Sequence, residues 1–319
     1  MERVQFEQEQ MLDELKDLVE KGIFTPQETK EIVKRRTAFE TVLVRRVAKK
    51  ADYIRYVTYE MTLEELRKKR IERLKIDTRP PTISSYSIVR RQFHIFERGL
   101  KKFKDDVGLW IQYIELAKKE GARSLVGRIC ARAIHLHPST PSLYILAAEH
   151  ELSTSQSPSA ARVLLQRGIR LNKQSVDMWR EWVRMELSFI EGLRRRWEVL
   201  GIQKGTISTG GRRSGKEKDH EEVSNDADRD TGLSSLDGGE GQSARLHIMK
   251  GAIVKTVITA AAEALPKLSL FSALKEVIEN HPSPDELKKE ALGHLFTVLR
   301  ECMGMEAGAV NMLAWRHLE

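Results

Sequence analysis

Asp106-Val107-Gly108-Leu109-Trp110-Ile111-Gln112-Tyr113 opens a helix at an acid and sets two large aromatics three residues apart on one face. The same pattern recurs along the chain. The aromatic column reads Tyr53, Trp110, Tyr144 and Trp179; three residues on stand Tyr56, Tyr113, Ala147 and Trp182; seven on stand Glu60, Ala117, Glu151 and Glu186. Thirteen residues before each aromatic come Glu40, Glu97, Ala131 and Gln166, then Thr41, Arg98, Arg132 and Arg167. A small column, Val42, Gly99, Ala133 and Gly168, and an apolar one, Leu43, Leu100, Ile134 and Ile169, follow directly. Trp110 to Tyr144 is 34 residues and Tyr144 to Trp179 is 35, the period of helix-hairpin repeats. The expected fold is therefore all-α, an α-solenoid, with Tyr53, Tyr56, Trp110, Tyr113, Tyr144, Trp179 and Trp182 as repeat core and scaffolding as its use.

Caps and breakers divide the chain. Asp106, Thr140 and Ser175 each stand four residues before an aromatic, as side chains that accept from free helical amides, whereas Lys49 offers no such oxygen. Thr25-Pro26-Gln27-Glu28, Thr62-Leu63-Glu64-Glu65 and Ser283-Pro284-Asp285-Glu286 read as capping boxes. Because Tyr53 and Trp110 are 57 residues apart, a helix over Leu63–Ile76 and the break Arg79-Pro80-Pro81 are expected as an insertion after the first copy. Nine of the 20 glycines fall between Gly201 and Ala244, a stretch without any aromatic, which reads as a disordered linker. Helical periodicity resumes over Leu246–Leu265, Leu270–His281, Asp285–Cys302 and Glu306–Leu318. Four parts result: 1–82, an N-terminal cap with the first repeat and the insertion helix; 83–200, repeats; 201–245, linker; 246–319, C-terminal helical repeats. The apolar faces of the first helices (Met11, Leu15, Leu18; Ile32, Val33, Phe39) exceed one repeat contact, so part of that surface is expected to dock a partner.

Composition narrows the class. The chain has 319 residues, 31% of them charged and 40% hydrophobic, and no stretch approaches the roughly 18 uninterrupted apolar residues of a membrane span. No signal-peptide run opens it, so a soluble intracellular chain without a membrane partner is expected. Cys130 and Cys302 fall in separate helical regions and read as reduced thiols. A net charge of +8 favours acidic partners or nucleic acid. Its densest runs are Arg67-Lys68-Lys69-Arg70, Arg45-Arg46 with Lys49-Lys50, and Arg194-Arg195-Arg196. Around the first, Leu63, Leu66, Ile71 and Leu74 form an apolar stripe, so its charges read as the solvated side of a helix; Arg67, Lys68, Lys69 and Arg70 are the alternative candidates for partner or phosphate contact.

Chemistry is hard to place. Gly210 to Lys216 has the spacing of a phosphate-binding loop, but Glu217 replaces the hydroxyl that would hold magnesium and no apolar strand precedes it. Cys130, His135 and His137 fall short of the four ligands of a structural zinc site. No catalytic residue, cofactor or metal is expected, and the chain reads as a non-enzyme.

The aromatic, aromatic, Glu spacing after an Arg-containing helix resembles the half-a-tetratricopeptide (HAT) repeat. More specifically, Val4 to Met11, Lys21-Gly22-Ile23-Phe24-Thr25, Ile32 to Glu40, Tyr53-Ile54-Arg55-Tyr56, Leu66 to Arg70 and Trp110 to Ile114 resemble the U-three small nucleolar RNA-associated protein six family. That resemblance implies a nucleolar subunit of the UtpB subcomplex of the small-subunit processome. It implies WD-repeat propeller proteins as partners, with pre-rRNA and the U-three small nucleolar ribonucleoprotein reached indirectly. It carries no catalytic residue. A HAT protein that binds RNA directly, or acts in splicing or mRNA 3′-end processing, is the alternative.

Overall fold

The computed structural model describes residues 2–47, 49–75, 83–199 and 247–315. The expected linker, the Arg79-Pro80-Pro81 break and the Gly210–Lys216 loop lie outside them. All regular structure among the described residues is helical. Two compact units are present, Met1–His137 and Pro138–Glu319.

The first unit holds α1 (Glu2–Glu20), α2 (Pro26–Val44), α3 (Lys50–Leu74), α4 (Ile83–Lys102), α5 (Val107–Lys119) and α6 (Arg123–Leu136). Neighbours in sequence pack on one another, and α1 packs on α4 as well as on α2. Gly22, at φ 65°, ends α1 in the left-handed conformation that costs glycine little, and the Ile23 and Phe24 amides donate back to the Leu18 carbonyl. Thr25 and Glu28 then form the expected reciprocal box: Glu28 N–H donates to Thr25 Oγ1 at 3.3 Å, and Thr25 N–H donates to Glu28 Oε2 at 2.9 Å. Asp106 caps α5 through Leu109 N–H. Although Lys49 caps nothing, Asp52 accepts its backbone N–H at 3.1 Å.

Two expected helix starts are corrected. Thr62 lies inside the 25-residue α3, where its hydroxyl donates to the Tyr59 carbonyl; nothing before it breaks the helix, so the insertion lengthens α3 instead of adding a helix. Ser283 caps nothing: Pro284 occupies the cap position, and the Ser283 hydroxyl lies 2.6 Å from His281 Nδ1. Thr140 also makes no side-chain cap bond.

The apolar faces of the first helices are used internally. Met11, Leu15 and Leu18 are buried in one cluster with Ile23, Phe24, Ile32, Leu63 and Ile88, and Val33 packs against it. Phe39 stacks on Tyr56 at 5.0 Å. Burial of each such side chain is worth roughly 1.5–3 kcal/mol, which keeps them in the fold and off a partner.

The second unit holds α7 (Pro141–His150), extended by a π-helical turn over Glu151–Ser155, then α8 (Pro158–Leu171) and α9 (Val176–Val199). After residue 246 come α10 (Ala252–Ala264), α11 (Leu268–Asn280), α12 (Asp285–Met303) and α13 (Ala307–Trp315). The π turn closes where Gln156 N–H donates to the Glu151 carbonyl, and Gln156 takes φ 48°. Helix α9 is the hub: α7, α8, α10 and α11 all pack on it, and Met178, Val183, Met185, Leu187 and Ile190 are buried along its length. Each unit is thus a pile of helix hairpins, as expected of helical repeats.

Candidate interaction surface

The aromatic columns go inward. Tyr53, Tyr56, Trp110, Tyr113, Tyr144 and Trp179 are all at most 4% exposed, whereas Trp182 is half-buried. Trp182 stacks on Trp179 at 5.7 Å and donates its Nε1–H to Glu186 Oε1 at 3.1 Å. The small column explains how such rings fit, because the ring that comes close belongs to the preceding repeat. A Cβ on Gly99 would lie 3.3 Å from Tyr53 Cδ1, and one on Gly168 would lie 2.9 Å from Tyr144 Cγ and also collide with Met178 Cε. Gly168→Ala is expected to cost about 1–3 kcal/mol by overpacking. Gly127→Ala, whose Cβ would meet nothing within 4 Å, is expected to gain up to roughly 1 kcal/mol of helix propensity. Denaturant melts in which the two variants move together would contradict this packing.

The polar columns pair, a feature that reading residues one by one misses. Arg36 clasps Glu60 through two bonds of 2.7 and 2.6 Å with both side chains at most 1% exposed. Arg162 clasps Glu186 in the same way at 2.7 and 2.8 Å. Each arginine stands 24 residues before its glutamate. Where that glutamate column holds Ala117, the residue 24 earlier is Phe93, which packs on Tyr113. Burial works to lower the Arg36 pKa, but the Glu60 carboxylate overrides it and holds the guanidinium above its ordinary value. A second set joins successive repeats: Glu40 to Arg98 at 3.0 and 2.8 Å, and Glu97 to Arg132 at 2.8 and 3.1 Å. Burial raises the Glu97 pKa, yet Arg132 and the Tyr113 hydroxyl outweigh it and leave the carboxyl below its ordinary value. The column ends at Ala131 and Gln166, which carry no charge.

The Arg67–Arg70 run is largely engaged inside the first unit. Arg67 is buried on Glu64 at 2.8 and 2.6 Å, Lys68 reaches Glu120 at 2.8 Å, and Arg70 holds Glu28 while capping the Phe24 ring at 5.0 Å; Lys69 is exposed. Glu28 is lowered from 4.5 to about 2, chiefly by Arg70 and then by the Thr25 backbone N–H. A lowered folded-state value adds stability above the unfolded pKa and loses it as pH falls from about 4.5 through about 2. Glu28→Gln is therefore expected to melt below the parent near neutral pH, by little because the carboxylate is 40% exposed. The gap should close near pH 2; paired melts showing a constant gap would refute the link to Arg70.

Three open grooves cross the units. One of about 300 Å³ lies between α2 and α3 beside Arg35 and Tyr59, and one of about 330 Å³ lies between α3 and α5 along Val57, Met61 and Leu116. The third, of about 480 Å³, borders the π turn at Leu152, Phe189 and Leu193. Cys130 is buried, and His137 meets the Lys104 carbonyl at 2.8 Å, so these expected non-ligands serve the packing of α6. Among the described residues no three His, Cys, Asp or Glu side chains gather as a metal site, and no helix is long and apolar enough to cross a membrane.

Residues 8–91 match the family model described as U3 small nucleolar RNA-associated protein 6. The protein of that name from Schizosaccharomyces pombe is 42% identical over 208 residues, which cover 65% of this chain and 42% of the relative. Its mouse homolog is 36% identical over 202 residues, covering 63% and 33%, and its human homolog 34% over 190 residues, covering 60% and 32%. The chain thus spans about a third to two fifths of the curated relatives it matches. The crystal structure of YrrB, a TPR protein with an unusual peptide-binding site, aligns with 69% of this chain and 97% of its own at 12% identity and a TM-score of 0.26, too low to bear on the fold. The family that this chain resembles, through residues 8–91 and through relatives aligned over about 60% of its length, is that of U3 small nucleolar RNA-associated protein 6.

Proposed function

We propose that the chain is a non-enzymatic scaffold of the small-subunit processome, a UtpB subunit that acts in the nucleolus in pre-rRNA processing and maturation of 18S rRNA. The match of residues 8–91 to the U3 small nucleolar RNA-associated protein 6 family carries this reading. Physical support comes from the side chains themselves. The aromatics are consumed in the core and many of the charged groups in carboxylate–guanidinium clasps, which suits a rigid spacer. On this reading the scaffold holds WD-repeat propeller subunits, and through them the U3 ribonucleoprotein and pre-rRNA, in a fixed geometry. The division into 1–82, 83–200, 201–245 and 246–319 belongs to the same proposal.

Purification of the tagged full chain, with co-purifying proteins identified by mass, tests it. Propeller proteins of the processome are the expected partners. A set drawn from splicing or 3′-end processing would replace this reading with the alternative one.

A further inference from the structure

Of the three basic runs, one stands apart from the ion pairs that absorb the others. Arg67, Lys68 and Arg70 are engaged as described, and Arg194 and Arg195 both bind Glu191. The Arg45-Arg46 run with Lys49 instead lies past the end of α2, in the turn before α3. Printed across the first unit, the contacts at this end are local and connected: Lys102 Nζ donates to the Leu43 carbonyl at 3.4 Å, Lys50 pairs with Asp106, and His137 meets the Lys104 carbonyl. The turns after α2, α4 and α6 therefore form one continuous edge.

Six exposed cations crowd that edge, Arg45, Arg46 and Lys49 from the first turn and Lys101, Lys102 and Lys104 from the second. Arg45, Arg46, Lys49 and Lys104 make no salt bridge among the described residues. Nearby carboxylates offset them little. Asp106 is committed to Lys50 and the Leu109 amide, and Asp52 to the Lys49 amide, which leaves Asp105. Favourable placement at a helix C-terminus accounts for Lys101 and Lys102, which sit in the last turn of α4, but the last turn of α2 holds no cation and Arg45, Arg46 and Lys49 lie beyond it.

We propose that this edge binds the phosphate backbone of nucleic acid without reading its bases. Stacking platforms are missing from it, since Tyr53 is buried and Phe103 half-buried, so base-specific recognition of a single strand has no ring to use. A protein partner would need a desolvated apolar anchor, whereas the edge offers only Val44 and Val47, and the three grooves are lined by other residues. The inference stands independently of the scaffold reading.

Fluorescence anisotropy of a labelled mixed-sequence RNA strand of about 20 nucleotides, titrated with the full chain at salt from about 50 to 200 mM, tests it. Each phosphate contact contributes a log–log salt slope of about −0.7 for single strands, so R45E/R46E/K49E is expected to flatten the slope by about 2. It should also weaken low-salt binding more than tenfold, while K68E/K69E leaves both nearly unchanged. Melting curves establish that each variant is folded; if the charge reversal unfolds, R45Q/R46Q/K49Q is judged by the same criteria. Parental binding by the folded triple variant, an affinity indifferent to salt, or capture of an acidic peptide in place of RNA would each overturn the proposal.

Discussion

Glu60→Ala is expected to destabilise the first unit by about 3–5 kcal/mol, the cost of leaving one partner of a buried ion pair behind. Arg36 and Glu60 have at most 1% of their side chains exposed, and the guanidinium makes both of its described bonds to that one carboxylate. Removing the carboxylate strands a cation with no water to replace it. The paired change Arg36→Met with Glu60→Leu removes both charges at once, and should recover most of the loss because neither ion is then left uncompensated. Denaturant unfolding of the two variants decides the matter. If the single variant costs under about 1 kcal/mol, or if the pair is as damaging as the single change, the clasp is not holding the repeat as argued.

Trp110→Ala is expected to cost about 3–5 kcal/mol as a large-to-small change in a packed interior. The indole is 1% exposed, donates to the Lys104 carbonyl at 2.9 Å and lies under the Arg132 guanidinium at 5.4 Å. Its loss therefore opens a cavity, frees a carbonyl in the α4–α5 turn and removes the surface on which an inter-repeat arginine rests. Amide hydrogen exchange should accelerate across α4, α5 and α6 together, since α5 packs on both neighbours. Acceleration confined to α5 would mean that the repeats do not support one another. Trp182→Ala, at a half-buried ring, should cost less than Trp110→Ala, which revises the equal core roles that the columns alone suggest.

What could be read from the sequence was whatever repeats at short range. The aromatic period placed Tyr53, Trp110, Tyr144 and Trp179 in the interior, and the reciprocal Thr25–Glu28 box and the Asp106 cap have local signatures that the structure reproduces. The same local signature misleads at Thr62, because a box motif cannot tell the start of a helix from the middle of one already running. Pairing was harder to see. Glu40 and Arg98 occupy neighbouring columns, yet nothing in a column says that the carboxylate of one repeat meets the guanidinium of the next. Arg36 and Arg162 show the missed signal most plainly: an arginine 24 residues before a glutamate, present where the glutamate column is Glu60 or Glu186 and replaced by Phe93 where it is Ala117. The apolar faces of α1 and α2 looked like a docking surface because a count of apolar residues does not reveal which of them α3 and α4 cover.

The π-helical turn at the end of α7 records an insertion. From Trp110 to the first residue of α6 is 13 positions, and from Tyr144 to the first residue of α8 is 14; from either helix start to the next aromatic is 21. The extra residue that makes the third spacing 35 instead of 34 therefore lies between Tyr144 and Pro158, where Glu151–Ser155 form one wide turn. A helix that had kept its ordinary pitch would have rotated everything downstream by about 100°, and Arg162 and Gly168 would have faced away from their contacts. By widening a single turn the chain confines a change in length to where it arose, so an array of this kind can lengthen one residue at a time in evolution, or under an engineer's hand, while the next repeat keeps its phase.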